Sequence, residues 1–191
     1  MSMAFDQTLE PDDEALLVLY ANGDRHAAAE LTSRLAPRLL PFCNRMLRDL
    51  AEAEDVVQEA MLRLWKIAPD WKSGQAKPST WVFKVASNLC TDRLRKRRGV
   101  GLDEIAEPED DRPGAEAQLL QTERLSALDV ALQTLPERQR QAVILRHIEG
   151  MTNPEIGEIL EISVEAVESL TARGKRGLAA ALQGRKEELG L

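Results

Sequence analysis

Lys84, Asn88, Thr91 and Arg95 recur at i, i+4, i+7 and i+11, a spacing that sets four hydrogen-bonding side chains along one helical face. Such a face can meet base edges, and the run Arg93, Arg95, Lys96, Arg97 and Arg98 at its end supplies cations for a phosphate track. Trp71, Trp81 and Phe83 lie close by, and flat side chains can replace the stacking a base loses when it leaves a duplex. Trp81 and Phe83 divide between two roles, core packing or strand opening, whereas Trp65 falls in an apolar pattern and reads as core. A second cluster runs from Thr152 to Arg176. Thr152 and Glu155 have capping-box spacing, Glu161 and Ile162 make a turn, Ser163 caps the next helix and Val167 faces inward, which together specify a helix-turn-helix. In its last helix Val167, Leu170, Thr171, Gly174 and Leu178 share one side. Glu165, Glu168, Ser169, Arg173 and Arg176 are left for solvent or a major groove, where a glutamate can accept from cytosine N4.

Helices must position these groups. Asp12 to Tyr20 reads as a first helix that stops near Asn22 and Gly23, and Asp24 can cap a second through Ala27, Leu31 and Leu35. Pro37 and Pro41 are expected to break or bend the stretch beyond Leu35. Asp49 and Glu52 introduce an amphipathic helix ending near Pro69, with Val56, Val57, Ala60, Leu64 and Ile67 inward and Asp55, Gln58, Glu59 and Arg63 outward. A loop from Asp70 to Ser79 precedes the basic helix, in which Val82, Val85, Ala86 and Leu89 should face the core. Residues 99–116 are acidic, with Pro108, Pro113 and Gly114, and read as a flexible linker. Beyond it, Leu125, Leu128 and Leu132 mark another helix, and Pro136 opens one that carries Val143, Ile144, Leu145 and Ile148 to a stop at Gly150. The expected fold is all-α, with two small helical domains at 1–98 and 117–191 and the helix-turn-helix in the second.

Composition limits the function. With 25 Lys and Arg against 32 Asp and Glu, the 191-residue chain carries a net charge of -7, so it should bind naked duplex weakly and need a partner to hold DNA. The sequence offers no apolar run of membrane-spanning length, so a cytoplasmic protein without membrane insertion is expected. Cys43 and Cys90 lack metal-ligand spacing and read as buried free thiols, with a regulatory disulfide as the other reading. His26 and His147 lie in unrelated segments with no nucleophile, metal or phosphate-loop motif, so no catalytic residue, metal or cofactor is expected.

The motifs resemble those of extracytoplasmic-function (group IV) sigma factors of bacterial RNA polymerase, in the sigma-70 family. Ala53-Glu54-Asp55-Val56-Val57-Gln58-Glu59 is similar to the region 2.2 motif, Thr80 to Leu89 with Asp92-Arg93-Leu94 to regions 2.3 and 2.4, and Leu135-Pro136-Glu137-Arg138 with Ile156 to Arg173 to region 4. The resemblance implies a transcription initiation factor with no active site. Asp55, Gln58, Glu59 and Arg63 would meet core polymerase; Trp71, Trp81, Lys84, Asn88, Thr91, Arg93 and Arg95 would read and open the minus-10 element; Glu165, Glu168, Ser169, Arg173 and Arg176 would read the minus-35 element. It also implies an anti-sigma factor as partner, in the family often a small zinc-binding helical domain. A sigma-like decoy that binds such an inhibitor without touching promoters is the alternative. The chain departs from the family pattern where many members have glycine at Glu161, alanine at Gly157 and a more basic run at Glu168, Ser169 and Leu170.

Overall fold

The computed structural model describes residues 10–100 and 127–188, and among them every regular element is helical. The first domain contains α1 (Asp13–Ala21), α2 (Arg25–Leu47), α3 (Leu50–Ile67) followed by a 3-10 turn (Ala68–Asp70), and α4 (Pro78–Val100). The second contains α5 (127–133), α6 (Glu137–Val143) continued by a π-helical turn (Ile144–Ile148), α7 (Asn153–Leu160) and α8 (Val164–Glu188). α4 continues through Gly99 to Val100, and the rest of the span expected as a linker, like the start of the Leu125 helix, lies outside the described residues.

The first three helices begin where short acids can accept orphan N–H groups: Asp12 from Ala15, Asp24 from His26 and Ala27, and Asp49 from Glu52. Of the break or bend expected at the two prolines, the break does not occur: α2 runs through both Pro37 and Pro41. Each interior proline costs roughly 3 kcal/mol. The same helix buries Leu31, Leu35, Leu39, Phe42, Met46 and Leu47 completely or nearly so, each contributing about 1.5–3 kcal/mol, so the face that must reach the core outweighs the two breakers. Arg48 then ends α2 in the left-handed region at φ 53°, its N–H donating to Asn44.

α2, α3 and α4 pack around Phe42 and Phe83, whose rings meet edge-on at 5.4 Å. Phe83 is thereby a core residue, fully buried, and Trp65 packs on the core through a tilted contact with Tyr20. Cys43 and Cys90, distant in sequence, are buried and free. The neighbouring Cys43 thiol and then burial push the Cys90 thiol far above its ordinary range.

The helix-turn-helix has the expected construction. Thr152 accepts from the Glu155 N–H while the Glu155 carboxylate accepts from the Thr152 N–H, closing a capping box at the start of α7. Ser163 accepts from Ala166 at the start of α8. Glu161, at the turn, adopts φ 55°, a left-handed conformation that costs a residue with a Cβ about 1 kcal/mol. Gly157 lies under this turn: a Cβ there would approach the Ile162 carbonyl to 2.9 Å. α8 crosses α6 closely at Gly174, where a Cβ would stand 2.5 Å from Val143 Cγ2 and 3.1 Å from the Gln139 carbonyl.

The packing of α8 sets opposite signs for the same substitution at two glycines. Gly174→Ala should lower stability in chemical denaturation by about 1–2 kcal/mol through overpacking. Gly184→Ala, on the same helix where nothing lies within 4 Å of the new methyl, should raise it by up to about 1 kcal/mol. The Glu155 carboxyl, held by Lys77 and by Thr152, titrates at about 2 rather than its ordinary 4.5. A pKa lowered on folding means that its stabilisation is complete above pH 4.5 and is lost as the pH falls towards 2. An acid-unfolding titration of Glu155→Gln, which can keep the capping box, should show a smaller loss across that window than the parent chain.

Candidate nucleic-acid interface

α4 divides its residues between two surfaces. Val82, Phe83, Ala86 and Cys90 are buried in the first domain, and that burial turns Lys84, Asn88, Thr91 and Arg95 outward along one stripe, as the spacing predicts. Asn88 and Arg95 are exposed; Lys84 and Thr91 are half-buried, with α7 packed against α4 and the Gln141 side chain of α6 reaching Thr91. Lys84 Nζ lies 2.8 Å from Glu161, and Thr91 Oγ1 accepts from the Gln141 amide at 3.0 Å. The same Gln141 nitrogen reaches the buried Ser87 hydroxyl at 3.2 Å.

The aromatic residues stand at the other end of the stripe. Trp71 and Trp81 meet edge-on with centroids 6.3 Å apart, and the Trp71 indole Nε1 is buried with no hydrogen-bond partner. Beside Trp81 a cleft of about 350 Å³ opens between the first domain (Ala76, Thr80, Lys84) and α7 (Glu158), with Glu161 at the α7 end. It has an aromatic wall and charged groups at its mouth, the features a displaced base requires.

The basic run is not a free phosphate track. Arg93 and Arg97 turn back to Glu52 on α3, Arg97 also donates to the Leu47 carbonyl at the end of α2, and Arg95 pairs with Asp92. Arg98 reaches Glu137 on α6 at 2.9 Å, and Lys96 is exposed.

Five ion pairs join the two domains among the described residues, and all have the same polarity. Arg38 to Glu149, Arg45 to Asp129 and Lys77 to Glu155 span 3.3, 2.9 and 2.8 Å. With Lys84 to Glu161 and Arg98 to Glu137, every cation belongs to the first domain and every carboxylate to the second. Arg38 is further fixed over the Phe83 ring, 5.4 Å from its centroid. Burial pushes the Glu149 carboxyl above its ordinary range, with Arg38 pulling it back, while Lys84 draws Glu161 below.

On α8, Glu165, Glu168, Arg173 and Arg176 are exposed and Ser169 half-exposed, on the side away from Val167 and Gly174. Arg173 Nε donates to Ser169 at 3.2 Å, and Glu168 accepts weakly from Asn153 at 3.5 Å. Glu165 is drawn below its ordinary range by its own backbone N–H and by Ser163, as an acid at a helix start should be. On α3, Asp55, Gln58 and Arg63 are exposed and Glu59 pairs with Arg63. Leu62 lies among them, 67% exposed.

Sequence reasoning missed Gln141 and the five carboxylates that face the first domain. Glu161 carried a signal: a charged residue at a turn where a glycine is cheaper needs some compensating contact, and Lys84 provides it. Asp129, Glu137 and Glu149 carry no such local mark.

Comparison with known proteins places these features in a family. The model for Sigma-70 region 2 matches residues 31–100, and that for Sigma-70, region 4 matches residues 125–178. The ECF RNA polymerase sigma factor SigW of Bacillus subtilis strain 168 is 30% identical over 167 residues, covering 82% of this chain and 89% of SigW. Among solved structures, CnrH in complex with the cytosolic domain of CnrY has the same fold at a TM-score of 0.69 and 24% identity, over 90% of this chain and 97% of that one. RpoE of Bartonella quintana, in complex with the anti-sigma factor NepR, matches at a TM-score of 0.65 and 21% identity, over 81% of this chain and 96% of that one. The chain belongs to the sigma-70 family, among the ECF RNA polymerase sigma factors.

Proposed function

We propose that this protein directs core RNA polymerase to promoters as a non-enzymatic initiation factor, reading the minus-10 element with α4 and the minus-35 element with α8, under the control of an anti-sigma factor. The observation that carries this reading is the pairing of two reading helices on separate small domains, α4 within the matched region 2 and the first half of α8 within the matched region 4. In this reading Asp55, Gln58, Glu59 and Arg63 form the polymerase-facing side of α3, with Leu62 as an apolar contact among them. Trp81, with Trp71 edge-on to it, supplies the aromatic surface for a displaced base, and Lys84, Asn88, Thr91 and Arg95 face the minus-10 strand, whereas Arg93 is turned back to Glu52. Glu165, Glu168, Ser169, Arg173 and Arg176 enter the minus-35 major groove, where the two glutamates favour cytosine-bearing sites.

The net charge of -7 explains why core enzyme is required: phosphate neutralisation supplies most non-specific affinity, and this chain has little to spare. The anti-sigma assignment rests on the family and on the RpoE–NepR neighbour. No described helix is long and apolar enough to cross a membrane, and the cytoplasm, where polymerase works, is the proposed location.

Run-off transcription on templates with randomised promoters should require both core polymerase and this chain; transcription that is unchanged when the chain is left out would refute the assignment. Asn88→Ala should weaken promoter opening, read by permanganate footprinting, more than closed-complex formation, with a loss of about tenfold if one good base contact is removed. Asp55→Ala with Gln58→Ala should weaken association with core, measured by native gel shift, and leave the thermal unfolding of the free chain within a few degrees of the parent, since both side chains are exposed.

A further inference from the structure

The apolar grip on α4 ends at Cys90. Val82, Ala86 and Cys90 are buried at successive helical steps, but from Thr91 to Gly99 no residue is buried, and only Leu94 packs partly on the core. The inward seam nevertheless continues, by steps of three and four, as Arg93 and Arg97. Both guanidinium groups face the junction of α2 and α3. Arg97 Nη1 donates to the Leu47 carbonyl at 2.8 Å, its Nη2 stands 2.8 Å from Glu52 and 3.9 Å from Asp49, and Arg93 Nη1 lies 3.9 Å from the same Glu52 oxygen. Glu52 is itself fixed in the first turn of α3, where its N–H donates to the Asp49 cap at 2.9 Å. The shared oxygen, Oε2, is buried without a well-directed hydrogen bond, so charge is what holds it. Among the described residues, every polar contact from this end of α4 to the other helices of the first domain goes to Leu47, Asp49 or Glu52.

Resting on the assignment of α4 as the minus-10 reader, we propose that Glu52 is a positioning residue for the far half of the reading stripe: by clamping Arg93 and Arg97 it holds Thr91 and Arg95, on the opposite face of the same turns, at the reach and angle that base contacts need. Lys84 and Asn88 lie on turns that the apolar core already holds, and they do not depend on the clamp. Arg93 and Arg97 therefore serve DNA recognition through the protein and not as phosphate contacts.

The test compares the parent chain, Glu52→Gln, and Arg93→Gln with Arg97→Gln, each bound to core polymerase. Glu30→Gln, which removes an exposed carboxylate from α2, controls for charge. Run-off transcription is read from promoters that carry each base in turn at each minus-10 position, and Asn88→Ala and Arg95→Ala mark the positions read by the near and far halves of the stripe. Glu52→Gln and the double arginine variant should both lose discrimination about threefold or more at the far position and keep it at the near one. The slope of promoter affinity against salt should match that of the parent. In the free chain, hydrogen exchange at the amides of residues 94–98 should quicken about three- to fivefold in Glu52→Gln, with residues 82–90 unchanged and thermal unfolding within a few degrees of the parent. Discrimination kept at the far position, equal loss at both positions, or unchanged exchange at residues 94–98 overturns the proposal. So does a double arginine variant that weakens all promoters alike and lowers the salt slope by about two, the mark of two phosphate contacts. An Arg95→Ala without effect overturns the clamp and leaves α4 as reader through Asn88; if Asn88→Ala is silent as well, the assignment of α4 falls with it.

Discussion

α4 serves two masters with one set of residues. Its inward face must complete the first core, where Phe83 closes on Phe42 and Cys90 on Cys43, and this burial fixes the rotation of the whole helix. The outward stripe of Lys84, Asn88, Thr91 and Arg95 is therefore positioned by apolar packing, to the precision of a close-packed interior. A base-reading surface gains from that rigidity, because contacts worth only a few kcal/mol discriminate between bases only if their geometry is held. The same rigidity makes the stripe a fixed target for the second domain, which meets it with Glu161, Gln141 and Glu137.

An acidic chain that must bind DNA faces a problem of charge allocation. At the contact between its domains, among the described residues, the first supplies the cations of the ion pairs and the second the carboxylates. Within the first domain, Arg93 and Arg97 are committed to Glu52 and to the end of α2, where they hold the end of α4 to α3 and α2. Promoter specificity in such a molecule comes from a small number of placed groups, with polymerase supplying the affinity that counterion release would otherwise have to provide.

The architecture was largely legible in the sequence because helix caps and apolar periodicity are local signals. Asp12, Asp24, Thr152 and Ser163 each cap the helix they precede, and the inward set of α8 keeps to its spacing. The helix is not broken at Pro37 or Pro41 because a local penalty of known size is outweighed by burial that only the assembled core reveals. Phe83 was ambiguous for the same reason: periodicity gives a face, and only packing says how deep that face lies. The contact between Cys43 and Cys90 and the uniform polarity of the domain interface are long-range facts with no local trace. Glu161 is the exception, since a carboxylate at a left-handed turn is a local anomaly with a distant cause.

Reading of promoter DNA by a helix whose rotation the first core fixes is the central claim. It is measured most directly by run-off transcription with core polymerase from promoters that carry each base in turn at each minus-10 position, with the parent chain and with Asn88→Ala, whose side chain is exposed on that helix. The variant should lose discrimination at one position and keep it at the others. Discrimination unchanged at every position would contradict the account.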